Sequence, residues 1–260
     1  MRWKNGNNIL TLLLIVCSSY SFSQLNQVDA KGKKQGEWVK YYDGTEFANV
    51  VRYKGQFKDD KPFGKFIYYY PSKKIRAIIV HDPNGIRSEA YLYHEENEAL
   101  AAHGIYKNGK KDSVWTNFLP SGHYSSTETY KNDELDGEKI IFYGPEVTID
   151  KVKLVLRKDH YKDGRLNGPF VEYFPDGVLK GEGVYKEGAL DGLVKRYHPN
   201  GRLLFEERWK NRKKHGLWKT FDEDGKELGR KYYNNGVSLE GKKLDAYLQD
   251  LKSKGISPNE

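Results

Sequence analysis

Cysteine is nearly absent from this chain. The single one, Cys17, lies in an N-terminal segment that the sequence marks for removal. The chain that remains would have no disulfide, no thiol nucleophile and no thiolate metal ligand. Thiol-based catalysis and disulfide scaffolds are therefore excluded as function classes.

Aliphatic side chains and proline are also scarce. Only 37% of the chain is apolar, against about 45 to 50% in ordinary globular domains. Aromatic residues make up 14% of it, with 20 Tyr, and 26 Gly are scattered along its length with nine Pro. The composition predicts many short, turn-separated elements rather than one large aliphatic core.

Long apolar runs are missing too. The segment Ile9–Val16 is much shorter than the roughly 20 residues of a spanning helix, and it follows the cations Arg2 and Lys4. Small residues surround Phe22, so residues 1–23 are predicted to be a cleaved export signal, with a retained membrane anchor as the weaker alternative. We therefore expect a periplasmic, envelope-associated or secreted protein with no transmembrane segment after cleavage. Cleavage would leave 42 basic and 36 acidic residues, a net charge of +6.

The chain repeats itself at a fixed spacing. The units LNGPFVEYFPDGVLKGEGVYKEGA, LDGLVKRYHPNGRLLFEERWKNRK and KHGLWKTFDEDGKELGRKYYNNG follow one another, with their glycines 24 residues apart. The same frame extends backwards with insertions, which gives eight units over residues 33–236. The proposed anchor residues of the units are Gly36, Gly64, Glu89, Ser113, Gly137, Gly168, Gly192 and Gly216.

Each unit has the pattern of a β-hairpin. Aromatic residues stand two and five positions after most anchors, as Phe170 and Tyr173 do in one unit. A turn such as Pro175–Gly177 follows, and the unit closes on an aromatic residue and a second short turn. The predicted fold is all-β: an elongated single-layer antiparallel meander of about eight hairpins. Because the two aromatic positions differ in parity, either both faces carry aromatics or a bulge resets the register.

Two further segments flank the array. Residues 24–32 are interpreted as a linker. Residues 237–260 are interpreted as a capping helix and tail, because Leu244, Tyr247, Leu248 and Leu251 share one helical face before Gly255. Such a helix would cover the open end of a repeat array.

The units DGLVKRYHPNGRLLFEERWKN and HGLWKTFDEDGKELGRKYY resemble the MORN repeat, in the variant form found in many bacterial proteins. The resemblance covers about residues 33–236. It implies elongated hairpin arrays that act as binding or spacing modules, with protein partners and, in some relatives, anionic lipid head groups. Some of those proteins are described as antitoxin components of toxin–antitoxin systems. The resemblance implies no catalytic residues.

Catalytic and metal patterns are not found in the sequence. The seven His, at positions 81, 94, 103, 123, 160, 198 and 215, lack metal-ligand spacing, and no nucleophile elbow occurs. Adjacent acids such as Glu206 and Glu207 fall in or near turns, where carboxylates are ordinarily solvated. We therefore expect no enzyme activity, no cofactor and no metal. The rival hypothesis is an enzyme site in the irregular unit between Glu89 and His103.

One stretch stands out as a candidate binding surface, and we call it the basic cluster. It interleaves cations with two tryptophans, an arrangement that suits an anionic polymer, a lipid head group or an acidic protein. The alternative is a solvated turn beside ordinary packing aromatics. The cluster comprises Arg208, Trp209, Lys210, Arg212, Lys213, Lys214, Trp218 and Lys219.

The sequence thus predicts an exported, non-enzymatic repeat protein that binds or scaffolds a protein partner at the cell envelope. Three alternatives stay open: an anionic lipid or polyanion bound by the basic cluster, an antitoxin-like or immunity role, and a row of aromatics that stacks sugars or grips a peptide. Nucleic acid is disfavoured, because acids are mixed among the bases.

Overall fold

A computed structural model of the chain describes residues 24–147 and 153–259. These residues form one antiparallel sheet of 21 strands and one helix, α1, at Gly241–Ser253. The predicted export signal, residues 1–23, lies outside the described residues. Within them, no helix is long and apolar enough to cross a membrane.

The strands follow one another in the sheet as they do in the sequence. They are β1 (Gln27–Val28), β2 (Lys34–Tyr41), β3 (Val51–Lys58), β4 (Lys61–Tyr69), β5 (Ile75–His81), β6 (Arg87–Tyr93), β7 (Leu100–Lys107), β8 (Lys110–Phe118), β9 (Tyr124–Lys131), β10 (Glu134–Phe142), β11 (Val155–Lys162), β12 (Arg165–Leu166), β13 (Gly168–Tyr173), β14 (Leu179–Lys186), β15 (Ala189–Leu190), β16 (Gly192–Tyr197), β17 (Leu203–Lys210), β18 (Lys213–Lys214), β19 (Gly216–Phe221), β20 (Glu227–Asn234) and β21 (Val237–Leu239).

Eight hairpins make up the array, as the repeat count predicts. Each has a first strand and a second strand, beginning with β2 and β3 and ending with β19 and β20. The second strand of each hairpin also pairs with the first strand of the next. The prediction of an open antiparallel meander of hairpins with a short C-terminal helix is confirmed.

The register defines the anchor of each repeat as the residue opposite the closing aromatic. Gly168 lies opposite Tyr185, and Gly216 opposite Tyr233. In the third repeat this position belongs to Ser88, which lies opposite Tyr106, so Glu89 was placed one residue too late. The error arose because the turn after Tyr93 carries one extra residue, which shifts the sequence frame.

The turns have the geometry that their residues predict. Between hairpins, two central residues with positive φ form tight turns, as at Glu187 and Gly188, whose φ values are +50° and +82°. Within hairpins, a glycine with positive φ closes the bend, as Gly177 does at +86° with its N–H donating to the carbonyl of Phe174. Both turn types are short, so consecutive strands are neighbours in the sheet.

The two aromatic positions after each anchor lie on opposite faces. Phe170 faces the side that we call the ladder face. Tyr197 faces the other side, where its hydroxyl donates to Glu182 at 2.6 Å. A register shift also occurs in each hairpin, for example between Glu172 and Tyr173. The shift places an extra residue, Lys180, in the second strand, so both expected features are present.

The core is a stack of side chains along the ladder face. Phe66, Trp115 and Phe170 are almost completely buried. Ring centroids of successive aromatics lie 4.9 to 5.8 Å apart in the pairs Trp38–Phe57, Phe57–Phe66, Phe66–His81, Tyr106–Trp115, Phe170–Tyr185, Trp209–Trp218 and Trp218–Tyr233. The rings therefore pack on one another within hairpins and between neighbouring hairpins rather than against a second layer.

Glycines make room for these rings. A Cβ atom added to Gly104 would lie 2.2 Å from the Trp115 ring, and one added to Gly55 would lie 2.3 Å from the Phe66 ring. Gly183 is filled in the same way by Phe170 and Val194. These strand glycines mark close approaches between repeats.

Polar side chains connect the turns at one edge of the sheet. The hydroxyl of Tyr70 donates to the carbonyl of Tyr93 at 2.9 Å, and the same link recurs from Tyr143 to Tyr173 at 2.8 Å. His198 makes the equivalent contact with the carbonyl of Phe221 at 3.1 Å. Where the residue that begins the turn is Tyr or His, its side chain thus holds the next hairpin in position.

Both ends of the array depart from the repeat. The stretch Leu239–Gly241 repeats the anchor pattern of Leu190–Gly192, but α1 begins there instead of a ninth hairpin. The helix folds over the face opposite the ladder, where Tyr247 packs on Tyr232 at 5.8 Å. We call this the helix face. At the other end, residues 24–32, expected as a linker, contribute β1, which pairs with β2.

A matched pair of glycine substitutions tests the stacking. Gly104→Ala forces a methyl group into the buried Trp115 ring and should lower the free energy of unfolding by about 1 to 3 kcal/mol. Gly229→Ala, with nothing within 4 Å of the added Cβ, should be neutral or stabilising by up to about 1 kcal/mol, because glycine weakens strands. Urea denaturation measures both. Equal losses would contradict the stacking of Trp115 on Gly104.

His81 makes the stack sensitive to pH. Burial lowers its pKa below the usual 6.5, with Asp82 opposing the effect weakly. The unfolded chain therefore binds this proton more readily than the folded chain, so stability falls as pH drops below 6.5.

The double substitution His81→Phe and Ser88→Ala should remove this dependence. Changing both residues avoids leaving the Ser88 hydroxyl, 2.8 Å from His81 Nδ1, without its partner. Urea midpoints measured from pH 7 down to about pH 5 should fall for the native sequence and stay flatter for the variant. Parallel curves would assign the pH dependence to other groups.

Candidate binding surface

The basic cluster spans the junction of the last two hairpins. Arg208, Trp209 and Lys210 end β17, and Arg212 lies in the following turn. Its remaining members are Lys213 and Lys214 in β18, and Trp218 and Lys219 in β19.

The sheet divides this cluster into three parts. Trp209, Lys214 and Trp218 lie on the ladder face, where Trp209 is paired with Lys214 and the two Trp rings are 5.3 Å apart. Arg208 and Lys219 lie on the helix face, because neighbouring residues of a strand point to opposite sides. The other three cations lie at the turn. The structure therefore does not bring all eight residues to one surface.

Lys214 and Trp218 belong to the packing of the repeat. Lys214 Nζ lies 4.5 Å from the centroid of Trp218 and 5.1 Å from that of Tyr233. The same arrangement recurs at Lys111, which lies 4.4 Å from Trp115 and 4.7 Å from Tyr130. It occurs a third time at Lys34. A cation above two stacked rings is thus a recurrent stabilising contact of the ladder.

The turn Lys210–Lys213 is the exposed part of the cluster, and its opposed lysines recur at Lys58–Lys61 and Lys107–Lys110. All four of its residues are exposed. Lys210 and Lys213 lie directly opposite each other, which is unfavourable for like charges. Arg212 has a φ of +66°, where several equivalent turns have glycine, such as Gly188 and Gly236. Its guanidinium donates to the carbonyl of Glu187 at 3.3 Å.

A hollow in the ladder face adjoins this region. It has a volume of about 310 Å³ and opens beside Gly229 of β20. Phe205, Trp218 and Tyr233 supply its rings. Its other lining residues are Glu207, Lys219, Thr220, Arg230 and Lys231, of which Lys219 and Arg230 point their side chains to the helix face.

A larger cavity lies between α1 and the helix face. Its volume is about 560 Å³, and Leu217, Leu239, Leu244 and Leu248 form its apolar lining. Burial raises the pKa of Tyr232, at its floor, to about 12. Asn259 closes one side, where its Oδ1 accepts the N–H of Leu217 at 3.2 Å. The sequence predicted the helix but not this cavity, because no sequence pattern shows how closely a capping helix packs on the sheet.

An ion network in the middle of the array was also missed. Arg157 donates two hydrogen bonds to Asp159, both at 2.7 Å, and the buried Asp159 is accessible only at 4%. Glu172 accepts from Lys180 and Arg196 at 2.8 and 3.1 Å. Burial alone would raise the pKa of Glu172, but these cations outweigh it and lower that pKa. Because its charges are mutually paired, the network is a structural contact between three hairpins.

The rival enzyme site contains one polar pair. His103 Nε2 lies 2.9 Å from Glu89 Oε1, and its ring stacks on Tyr91 at 4.7 Å. The hydrogen bond from His103 lowers the pKa of Glu89. His94 is elsewhere, because its Nε2 lies 3.0 Å from the carbonyl of Phe118 in the row of turn contacts. The structure thus separates His94 from the exposed pair.

Within residues 24–147 and 153–259, no group of three or more His, Cys, Asp or Glu side chains is placed to hold a metal ion.

Arg212→Gly tests whether the basic turn is strained. Holding an L-residue in the left-handed region costs about 1 to 2 kcal/mol. Glycine offsets part of this gain, because it loses more conformational entropy on folding, at a cost of about 0.5 to 1 kcal/mol. The free energy of unfolding of the variant should therefore rise by up to about 1 kcal/mol, which moves its urea midpoint to a slightly higher concentration. Lys186→Gly, in a strand rather than a turn, is the control and should be destabilised. A less stable Arg212→Gly would show that the side chain contributes more than its strain.

Comparison with known proteins finds a family model that matches three of the repeats. The model of the MORN repeat variant matches residues 166–187, 190–211 and 214–235. No curated protein matches the chain. The crystal structures of TcdB2-TccC3 and TcdB2-TccC3-Cdc42 are each similar over 82% of this chain at 10% identity and a TM-score of 0.23. The chain spans only 14% and 13% of the length of those two chains. Residues 166–235 are three consecutive repeats of the MORN repeat variant.

Proposed function

We propose that this chain is an exported, non-enzymatic repeat protein that binds a protein partner, or holds partners in place, at the cell envelope. The observation that carries the proposal is the use of polar side chains along the array. Histidines and tyrosines that might do chemistry, such as His94, His198 and Tyr143, instead bind the carbonyl of the next turn. Since these side chains are used in contacts between hairpins, the extended surface of the sheet is what the fold leaves for function.

Two features support a binding role over a catalytic one. MORN repeats act as binding modules, and a single-layer sheet presents both of its faces along its whole length. The polar pair His103 and Glu89 is well exposed, with side chains 39% and 45% accessible. Catalytic pairs depend on a dry, preorganised surrounding that such exposure does not provide.

The export part of the proposal is supported by sequence alone. Arg2 and Lys4 precede the apolar run Ile9–Val16 and the small residues around Phe22. An antitoxin-like role against a cytosolic toxin would require the chain to stay inside the cell.

A second candidate is polyanion binding by the turn Lys210–Lys213. Arg212 carries this candidate, because it adds a third exposed cation between an opposed pair of lysines, whereas the equivalent pairs Lys58–Lys61 and Lys107–Lys110 enclose no cation. Lys214 and Trp218 are excluded from it, since they repeat a packing contact found twice more in the array.

Capture from envelope extracts tests the proposal. The chain, expressed at full length with an affinity tag, should retain one protein at high salt, and the purified pair should form a complex of fixed stoichiometry. A variant with Lys210, Arg212 and Lys213 changed to Ala keeps Lys214 and so keeps its packing. Capture that is lost in this variant and at high salt would favour the polyanion instead.

The enzyme alternative requires a separate experiment. Full-length chain and the variants Glu89→Gln and His103→Ala are incubated with the captured material, and turnover is followed by mass spectrometry. Turnover by the native chain that both substitutions abolish would overturn the non-enzymatic role. A complex without turnover supports binding.

A further inference from the structure

In interior hairpins the outer edge of the second strand is covered by the next hairpin. In the last hairpin part of this edge is open. Glu182 and Gly181 of β14 pair along their outer side with Lys195 and Arg196 of β16. The same positions in β20, 48 residues later, are Arg230 and Gly229. The strand that follows, β21, pairs only with Tyr232–Asn234. Residues 228–231 of β20 are exposed, and no strand within residues 24–147 and 153–259 pairs with them on that side.

The hollow beside Gly229 lies where a ninth repeat would fit. A Cβ atom at Gly181 would lie 3.0 Å from Arg196, which covers it from the next repeat, whereas one at Gly229 meets nothing within 4 Å. Trp218 is only partly buried, while Trp115 at the same repeat position is fully buried. The unpaired edge and the hollow thus both lie where an interior repeat would contact the next hairpin.

We propose that this edge takes an extended segment of a partner protein as an added strand, with a large apolar or aromatic side chain of that segment in the hollow. The backbone of β20 would supply hydrogen bonds and the hollow would supply side-chain selectivity. This inference rests on the proposed binding function and names the class of its partner.

The chemistry of the hollow selects an apolar side chain rather than a charge. On the ladder face its lining includes one cation and one acid, Lys231 and Glu207, beside the rings of Phe205, Trp218 and Tyr233. Arg230 points to the helix face, where it already bonds Glu227 at 2.5 and 3.0 Å. An added strand would therefore gain from a ring or large apolar group that packs on the exposed aromatics.

A second copy of this chain is the less suitable occupant. Its β2 would have to serve as the ninth first strand, but Asn26 already occupies the outer edge of β2. The Asn26 N–H donates to the carbonyl of Glu37 at 2.9 Å, and its Oδ1 accepts the N–H of Val39 at 2.8 Å. Head-to-tail addition would break both bonds, whereas nothing comparable covers residues 228–231 of β20.

A strand-mimicking peptide provides the probe. It copies Gly36–Asp43, the first strand of a repeat, with a fluorescein label, and its binding to the full-length chain is followed by anisotropy. The control peptide also carries Val39→Pro, which removes the N–H that would face Arg230. We expect saturable binding of the probe and at least about tenfold weaker binding of the proline control.

Two protein variants locate the site. Gly229→Leu fills the hollow and should weaken the probe by at least about tenfold, while Gly229→Ala should change it little. Circular dichroism confirms that both are folded. Lack of saturable probe binding, or equal binding of the proline control, would overturn the proposal without reference to either variant. Equal binding to a folded Gly229→Leu would also overturn it.

Capture from envelope extracts separates this inference from the broader proposal. If the native chain and Gly229→Leu retain the same partner equally, the added-strand site is wrong but the binding function stands. If neither retains a partner, the binding function itself fails.

Discussion

Every repeat in this protein depends on its neighbour for burial, because a single-layer sheet has no second layer to cover its rings. The contact that provides this burial is a ring lying on the backbone of the preceding repeat. Trp115 over Gly104 is the clearest case, since a methyl group at Gly104 would lie 2.2 Å from the ring. Aromatic side chains suit this role because one ring contacts both adjacent strands. The poverty in aliphatic residues follows from the same architecture.

The same dependence creates a problem at each end of the array. The first hairpin solves it with a polar plug, in which Asn26 occupies the outer hydrogen-bonding positions of β2. The last hairpin solves it only on the helix face, where α1 covers Tyr232 and Leu217. Its ladder face and part of its strand edge stay open. The two ends are therefore chemically different, which makes polymerisation through them unfavourable while leaving one edge available.

The repeat spacing predicted most of the fold because the turn residues are so specific. Pairs such as Glu187 and Gly188, and closing glycines such as Gly177, leave few backbone options, so strand lengths and order follow. The third anchor was misplaced because the turn after Tyr93 carries one extra residue, and Ser88 is not a glycine that would mark the position in the sequence. Gly181 and Gly183 both mark close approaches, because added Cβ atoms would lie 3.0 Å from Arg196 and 2.8 Å from Phe170, while the extra residue of the bulge is Lys180.

The candidate surface was harder to predict, since sequence proximity does not show which face a residue takes. Lys214 and Arg212 look alike in the run of cations, but only Lys214 repeats a contact made by Lys111 and Lys34. That comparison needs coordinates, because the partner rings come from two different strands.

Arg212, unlike Lys214, does not repeat a stabilising contact found elsewhere in the array. It holds a backbone conformation that glycine adopts more easily, at a turn where the flanking lysines already repel each other. A residue that raises the free energy of its own hairpin is retained either by chance or for a contact outside the chain. Since the hollow and the open edge of β20 adjoin the same two hairpins, the least repeat-like features of the array gather at its C-terminal end. This end is where an external partner can be bound without disturbing the stacking on which the interior repeats depend.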